Sequence, residues 1–179
     1  EVGMLSKLVD DLYELSLADV GALTYRKSPC DLNELLETVV AMFQERCNAA
    51  GLKVELKLPE QPLLLEADAK RLQQLFGNLL ENAVRYTDAG GQLVISASAD
   101  GDDVLVSLMD SGPGVDPQQL PRLFERFYRG EASRNRASGG AGLGLAICHS
   151  IVLAHGGSLT ADHSPLGGLW LSLRLPRKV

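Results

Sequence analysis

The chain has 179 residues, a length that fits one domain of ordinary size with a short appended element. Hydrophobic residues make up 45% and charged residues 22%, which is typical of a packed globular protein and excludes an intrinsically disordered one. The formal net charge of −6 argues against a nucleic-acid-binding domain, because the phosphate backbone favours a basic surface, so we expect no nucleic-acid partner.

Residues 1–20 contain the first predicted element. Leu5, Leu8, Leu12 and Leu15 recur at helical spacing with charged residues between them, which predicts an amphipathic helix with a bundle-type seam. Two interpretations remain open for this helix. In one it docks on its own chain, and in the other it is the end of a helical hairpin whose first half lies upstream.

The remaining pattern alternates between helices and strands after a break near Gly21. Asp31 is a candidate N-cap, with Glu34 completing a capping box, for a helix that ends near Ala50. The later predicted elements are a strand at 52–58, a short apolar stretch at 63–65, a helix at 68–86, antiparallel strands at 90–99 and 104–109, a helix at 143–154 and two final strands. These elements predict an α/β fold, a two-layer sandwich in which three helices cover one face of a mixed sheet of about five strands.

The helix at 68–86 carries a polar face beside its apolar stripe. Asn78, Asn82, Arg85 and Tyr86 stand at positions i, i+4, i+7 and i+8, so two carboxamides, a guanidinium and a phenol share one side of the helix. A carboxamide oxygen is a ligand that Mg²⁺ accepts when phosphates supply the negative charge. This alignment indicates a binding site.

Two glycine-rich segments follow. The segment 110–114 reads Asp-Ser-Gly-Pro-Gly at the end of a strand, and 139–145 leads into a helix, where glycines let backbone N–H groups approach an anion. Neither segment is a familiar nucleotide loop. No Gly-Lys-Ser/Thr follows the glycines, which excludes a Walker A loop, and Leu145 occupies the third glycine position of GxGxxG.

The segment between these two is long and locally basic. From Arg122 to Arg136 there are five arginines against two glutamates, in a chain that is acidic as a whole. A loop of this length within a compact domain is usually functional. The charge pattern suits a phosphate-bearing ligand or an acidic partner, and it equally suits a solvated charged loop.

Taken in order, these segments resemble the four nucleotide boxes of sensor histidine kinases. The resemblance covers nearly the whole chain, and its details at 7–12, 125–129 and 133–140 are similar to an envelope-stress type of sensor kinase. The four boxes are the N box (78–86), the G1 box (110–114), the F box (123–128) and the G2 box (140–144). The resemblance implies a Bergerat ATP-binding fold, with ATP and Mg²⁺ bound.

The resemblance also implies roles for residues of the N and G1 boxes. Asn82 would coordinate Mg²⁺ with Asn78 beside it, and Arg85 and Tyr86 would face the triphosphate. Asp110 would accept a hydrogen bond from the amino group of adenine. Asn78, Asn82 and Arg85 are therefore the candidate catalytic residues.

The same resemblance assigns the glycines and the loop. Gly112 and Gly114 would give space around the base, and residues 115–139 would form a mobile lid anchored by Phe124 and Phe127. The phosphates would meet the G2 backbone at Gly140, Gly142, Leu143 and Gly144. Many relatives carry a hydroxyl residue after the glycine near the final strand, where this chain has Gly168-Leu169-Trp170.

The resemblance divides the chain into the second half of a dimerisation and phosphotransfer hairpin at 1–20 and a catalytic domain at 21–179. The histidine that accepts the phosphoryl group would lie on the missing first helix. We expect structural roles for His149, His155 and His163, which lack the acceptor motif. Expected partners are this hairpin, in a homodimer of the parent protein, and a response regulator. The expected location is the cytoplasmic side of a bacterial inner membrane, reached only through segments absent from this sequence.

Three functions compete. In the first, the chain transfers the γ-phosphoryl group of ATP to an external histidine, by positioning and charge neutralisation. In the second, it is an ATPase switch of the gyrase, MutL or Hsp90 kind. Asn78 occupies the position where such ATPases usually carry a water-activating Glu, which favours transfer unless Glu81 points into the site as a base. The third function is nucleotide sensing without chemistry, which broken boxes would favour.

Overall fold

The structure is a computed structural model that describes residues 2–130 and 142–178. Its α-helices are α1 (Val2–Asp19), α2 (Leu32–Ala49), α3 (Ala69–Tyr86) and α4 (Gly144–Ala154). Its strands are β1 (Ser28–Asp31), β2 (Lys53–Lys57), β3 (Leu64–Ala67), β4 (Gln92–Asp100), β5 (Asp103–Asp110), β6 (Ser158–His163) and β7 (Leu169–Pro176).

Five strands form the main sheet in the order β2-β4-β5-β7-β6. The pairing of β2 with β4 is parallel and the other pairings are antiparallel, so the sheet is mixed, as predicted. Along each central strand, alternate residues are buried, which places one face of the sheet against the helices. The buried side chains of sheet and helices form one core, and the predicted two-layer sandwich is confirmed.

Helix α3 lies at the centre of the helical layer, between α2 and α4. Asp68 caps its first turn, because the carboxylate accepts a hydrogen bond from the backbone N–H of Arg71 at 3.1 Å. The apolar side of the helix packs into the core through Leu72, Leu75, Phe76, Leu79, Leu80 and Ala83. This packing fixes the rotation of α3, so its polar face must point away from the sheet.

A second, two-stranded sheet was not predicted from the sequence. Strand β1 pairs antiparallel with β3, with Cys30 opposite Leu65. The segment Ser28–Asp31 contains a proline and lacks apolar alternation, so its strand character depends on backbone pairing with a distant segment. Asp31 ends this strand and caps α2, since its carboxylate accepts from the N–H of Asn33 at 3.0 Å and of Leu63 at 3.2 Å.

Helix α1 docks on its own chain through its second half. Leu15 is buried, Leu8 and Leu12 are half-buried against the core, and Leu5 is 62% exposed. The carboxylate of Glu14 accepts hydrogen bonds from two α3 side chains, Arg71 at 2.5 Å and Gln74 at 2.9 Å. Within the described ranges, no helix combines the length and apolar character needed to cross a membrane.

Candidate functional site

A cavity of about 1030 Å³ opens between α3, the loop after β5 and the start of α4. Its volume suits a small-molecule ligand. Of the eleven predicted site residues, the ten that the structure describes line this cavity: Asn78, Asn82, Arg85, Tyr86, Asp110, Gly112, Gly114, Gly142, Leu143 and Gly144. The eleventh, Gly140, lies outside the described residues.

Asp110 stands at the end of β5 with its carboxylate held from two sides. One oxygen, Oδ1, accepts hydrogen bonds from the backbone N–H groups of Gly112 and Leu169, each at 3.0 Å. Burial raises the pKa of this carboxyl, and the two N–H groups oppose that rise. Because both of these hydrogen bonds use Oδ1, the backbone fixes the orientation of the carboxylate.

Glycines surround Asp110 because the chain packs too closely there for a side chain. A Cβ at Gly168 would lie 1.9 Å from Oδ1 of Asp110 and 2.5 Å from the backbone nitrogen of Gly112. A Cβ at Gly112 would lie 3.0 Å from the carbonyl oxygen of Tyr86. This end of the cavity is therefore assembled from three segments distant in sequence, namely the end of α3, the loop after β5 and the start of β7.

The polar face of α3 forms the next part of the wall. Asn78, Asn82, Arg85 and Tyr86 are all partly exposed and line the cavity. Glu81 lines the cavity as well, but its carboxylate is paired with Arg46 at 2.5 Å and with Arg85 at 3.4 Å. The hydrogen bond from Arg46 is the first cause that lowers the pKa of Glu81, so this carboxyl is a weaker base than an isolated glutamate.

The start of α4 forms another part of the cavity wall. Leu143 occupies the N-cap position, and its side chain makes no capping hydrogen bond. The first N–H groups of a helix point outward and favour an anion when no side chain satisfies them. Gly142 before it has φ +79°, and a Cβ there would lie 2.8 Å from the carbonyl oxygen of Tyr128, so glycine is required.

The predicted lid is described only as far as residue 130. Phe124 is half-buried against the core and stacks on His149 at 5.4 Å between ring centroids, which fits the predicted anchor. The prediction for the Phe127 side chain is wrong, because this residue adopts φ +61° and is 56% exposed. Its backbone makes the contact instead, since its N–H donates to the carbonyl of Gly142 at 3.0 Å.

The described arginines of the basic segment fit different interpretations. One fits a phosphate contact, and two fit a solvated charged loop. Arg129 lines the cavity, as a phosphate contact would require. Arg122 pairs with Glu125 at 3.2 Å, and Arg126 pairs with Asp19 of α1, so both are engaged at the surface. The other two arginines of the segment lie outside the described residues.

The histidines are placed as structural residues would be. Nε2 of the buried His155 accepts a hydrogen bond from the N–H of Asp68 at 3.0 Å, and Nδ1 lies 2.8 Å from the carbonyl oxygen of Ile151. Desolvation lowers the pKa of His155, which keeps the ring neutral in this arrangement. His163 is the exposed last residue of β6.

Some lining residues were missed from the sequence. Phe43 and Arg46 of α2, and Lys7 and Asp11 of α1, also border the cavity. Their spacing is ordinary for amphipathic helices, so the sequence offered no signal that distinguished them from surface and core positions. Leu169, which belongs to the segment where this chain departs from many relatives, also lines the cavity.

The residues present fit a nucleotide–metal ligand better than a metal held by the protein alone. Clusters of three or more His, Cys, Asp or Glu side chains that could hold a metal do not occur in the described part of the chain. Beside carboxylates that do not form such a cluster, the cavity offers the neutral carboxamides of α3 and guanidinium groups. Such a set suits Mg²⁺ only when phosphates bring most of its ligands.

Three comparisons with known proteins show which family the chain resembles. Residues 67–179 match the family model described as histidine kinase-, DNA gyrase B- and HSP90-like ATPase. The chain is 55% identical to the signal transduction histidine-protein kinase BaeS of Escherichia coli over 98% of its own length. It spans only 38% of the length of that relative.

Solved structures show the same fold. The histidine kinase AdeS of Acinetobacter baumannii superposes with a TM-score of 0.81 at 29% identity, over 98% of this chain and 80% of that one. The protein ShkA, solved full-length in complex with AMPPNP, superposes with a TM-score of 0.83 at 32% identity, over 96% of this chain and 35% of that one.

Proposed function

The chain belongs to the family of histidine kinase-, DNA gyrase B- and HSP90-like ATPases, and we propose that it is the ATP-binding catalytic part of a sensor histidine kinase. It passes the γ-phosphoryl group of ATP to a histidine outside this sequence. The observation that carries the proposal is the single cavity that joins a backbone-held carboxylate, an α3 face of carboxamides and a guanidinium, and the start of α4.

The base of ATP binds at the Asp110 end. Oδ1 is occupied by the N–H groups of Gly112 and Leu169, so Oδ2 is the oxygen that receives the amino group of adenine. Guanine presents a carbonyl oxygen at the corresponding position, which a carboxylate repels. Selection of ATP over GTP follows from this one oxygen.

The phosphates bind at the other end. The start of α4 and the backbone from Gly142 to Gly144 provide N–H groups, and Arg85 provides a positive charge from α3. Asn82, with Asn78 beside it, would hold Mg²⁺, which when bound supplies neutralisation of the phosphate charge. Tyr86 borders the same region of the cavity.

Transfer is favoured over hydrolysis by two residues. Asn78 is neutral at the position where the related ATPases usually carry a base, and Glu81 is paired with Arg46 and Arg85. The acceptor nitrogen of an external histidine then attacks the γ-phosphorus in line, the bond to the β–γ bridging oxygen breaks, and ADP leaves. Positioning of the two reactants provides most of the rate in such a reaction.

The names of similar proteins also support this function. The relatives at 55% and 29% identity are named as histidine kinases, and the one at 32% identity binds AMPPNP, an analogue of ATP. We extend the proposal to the whole protein on that basis. Residues 1–20 end a dimerisation hairpin, residues 21–179 are the catalytic domain, a response regulator receives the phosphoryl group, and a membrane segment lies in the absent part.

Radiolabelled ATP tests the proposal. The chain alone should bind ATP in the presence of Mg²⁺ and acquire no acid-labile label, because none of its histidines has the acceptor context. Adding a separate protein with the missing hairpin helix and its histidine should yield label on that helix. Acid-labile label on His149, His155 or His163 would contradict the acceptor assignment, and hydrolysis without transfer would favour the ATPase switch.

Substitution of Asn82 tests whether this residue binds the metal or stabilises the fold. Asn82→Ala should abolish Mg²⁺-dependent nucleotide binding and leave unfolding cooperative, because the side chain faces the cavity rather than the core. Loss of cooperative unfolding in this variant would show a structural role instead. Titrations with and without Mg²⁺, next to thermal unfolding of the same samples, provide both readings.

A further inference from the structure

Three charged side chains stand together on the phosphate side of the cavity. Oε1 of Glu81 is 3.4 Å from Nη2 of Arg85, within α3, and Oε2 is 2.5 Å from Nη1 of Arg46, on α2. Each carboxylate oxygen therefore pairs with a different guanidinium. All three side chains line the cavity.

A second contact holds Arg46 in place. Its guanidinium lies over the ring of Phe43, 5.0 Å from the centroid. Phe43 packs beside α3 at Gly77, where an added Cβ would be 3.8 Å from its ring. Because Gly77 and Glu81 are one helical turn apart, the aromatic face and the carboxylate together fix the guanidinium beside α3.

The position of Glu81 explains why its ion pair with Arg46 matters for the phosphate site. It lies one residue before Asn82 and four before Arg85, on the wall that the phosphates would face. If Arg46 were absent, the Glu81 carboxylate would repel the phosphates, and Arg85 would be its nearest cation. The shorter of the two ion pairs is the one to Arg46, so Arg46 carries most of the neutralisation.

We propose that Arg46 is a positioning residue for the phosphate site: it neutralises Glu81 and so leaves the Arg85 guanidinium directed to the nucleotide. This inference rests on the proposed function, in which Arg85 faces the triphosphate. Arg46 belongs to α2 and lies outside all four motif segments, so the site extends to a helix that none of the motifs includes.

A double-mutant cycle tests this role by calorimetric titration with ATP and with adenosine, at one Mg²⁺ concentration. Arg46→Gln should weaken ATP binding about ten-fold, the size of one charge-assisted contact, and leave adenosine affinity unchanged. Glu81→Gln alone should not weaken ATP binding. The double variant, Arg46→Gln with Glu81→Gln, should recover the ATP affinity of the unaltered chain, because the carboxylate that Arg46 neutralises is then absent.

Arg174→Gln is a matched control, since Arg174 pairs with Asp100 and Asp103 away from the cavity. It should leave ATP affinity unchanged. Two results would overturn the inference: ATP binding by Arg46→Gln equal to that of the unaltered chain, or a loss that persists in the double variant. The second would show that Arg46 contacts the phosphates or supports Phe43. Absence of ATP binding by the unaltered chain would overturn the proposed function itself.

Discussion

The two ends of the cavity are built differently. At the Asp110 end, backbone N–H groups and closely packed glycines hold one carboxylate, and there is no room for an added methyl group at Gly168. At the phosphate end, long charged side chains meet at a partly exposed wall, with Arg46 at 51% exposure. In the function that we propose, shape and fixed hydrogen bonds would select the base, whereas adjustable charges would hold the phosphates.

The largest effect is expected from a methyl group at the rigid end. In Gly168→Ala, the new Cβ would lie 1.9 Å from Oδ1 of Asp110, so the carboxylate or the start of β7 must move. We expect loss of measurable ATP and adenosine binding, with a fall of about 1–3 kcal/mol in the free energy of unfolding from overpacking. Titration and denaturant unfolding measure the two effects.

Gly144→Ala is the control for that substitution. Gly144 lines the same cavity, but a Cβ there meets nothing within 4 Å, so the free energy of unfolding should stay equal or rise slightly. Adenosine affinity should also be unchanged. Equal tolerance of alanine at Gly144 and Gly168 would show that the Asp110 end is not rigid.

The next effect concerns the base-selecting oxygen. Asp110→Asn can keep one oxygen as acceptor for Gly112 and Leu169, but it presents an amide NH₂ where the amino group of adenine must donate. We expect ATP affinity to fall about 30-fold, on the scale of an unpaired polar group, while the preference for ATP over GTP shrinks. Competition titrations with both nucleotides measure this preference. An unaltered preference for ATP over GTP in the variant would contradict the prediction.

The same contrast explains what the sequence could reveal. The α3 face and the two glycine segments were predictable, because helical spacing and glycine placement are local properties. Local signals did not reveal the role of Arg46, which depends on the packing of α2 beside α3. They also did not reveal the constraint on Gly168, which comes from Asp110 at the end of the neighbouring strand β5. Strand β1 was missed for the same reason, since its partner lies more than thirty residues away.

A smaller effect is expected at the adjustable end. Arg85→Ala removes one cation from the phosphate wall, so ATP affinity should fall about ten-fold while adenosine affinity stays the same. The difference between the two ligands, measured by titration, is the diagnostic quantity. An equal loss for adenosine and ATP would place Arg85 in the fold or at the base rather than at the phosphates.

The smallest effect is expected from His155, which lies outside both ends of the cavity. Burial lowers the pKa of His155 below its ordinary value of 6.5, and Nε2 must stay unprotonated to accept from Asp68. As pH falls through 6.5, the unfolded chain gains a proton that the folded chain does not, so the free energy of unfolding should fall. His155→Gln should remove this part of the pH dependence without changing ATP selectivity. An identical pH profile in the two proteins would contradict it.

Titration of the unaltered chain with ATP, GTP and adenosine, at constant Mg²⁺, tests most directly whether base and phosphates are recognised at separate ends. We expect ATP to bind most tightly, adenosine to bind more weakly but measurably through the Asp110 end, and GTP to bind much more weakly than ATP. The adenosine affinity should not depend on salt, because adenosine carries no net charge. The ATP affinity should fall as salt rises, because salt screens the attraction between the triphosphate and the cationic side chains. Equal affinities for ATP and GTP would contradict the assignment of Asp110 and, with it, the division of the cavity.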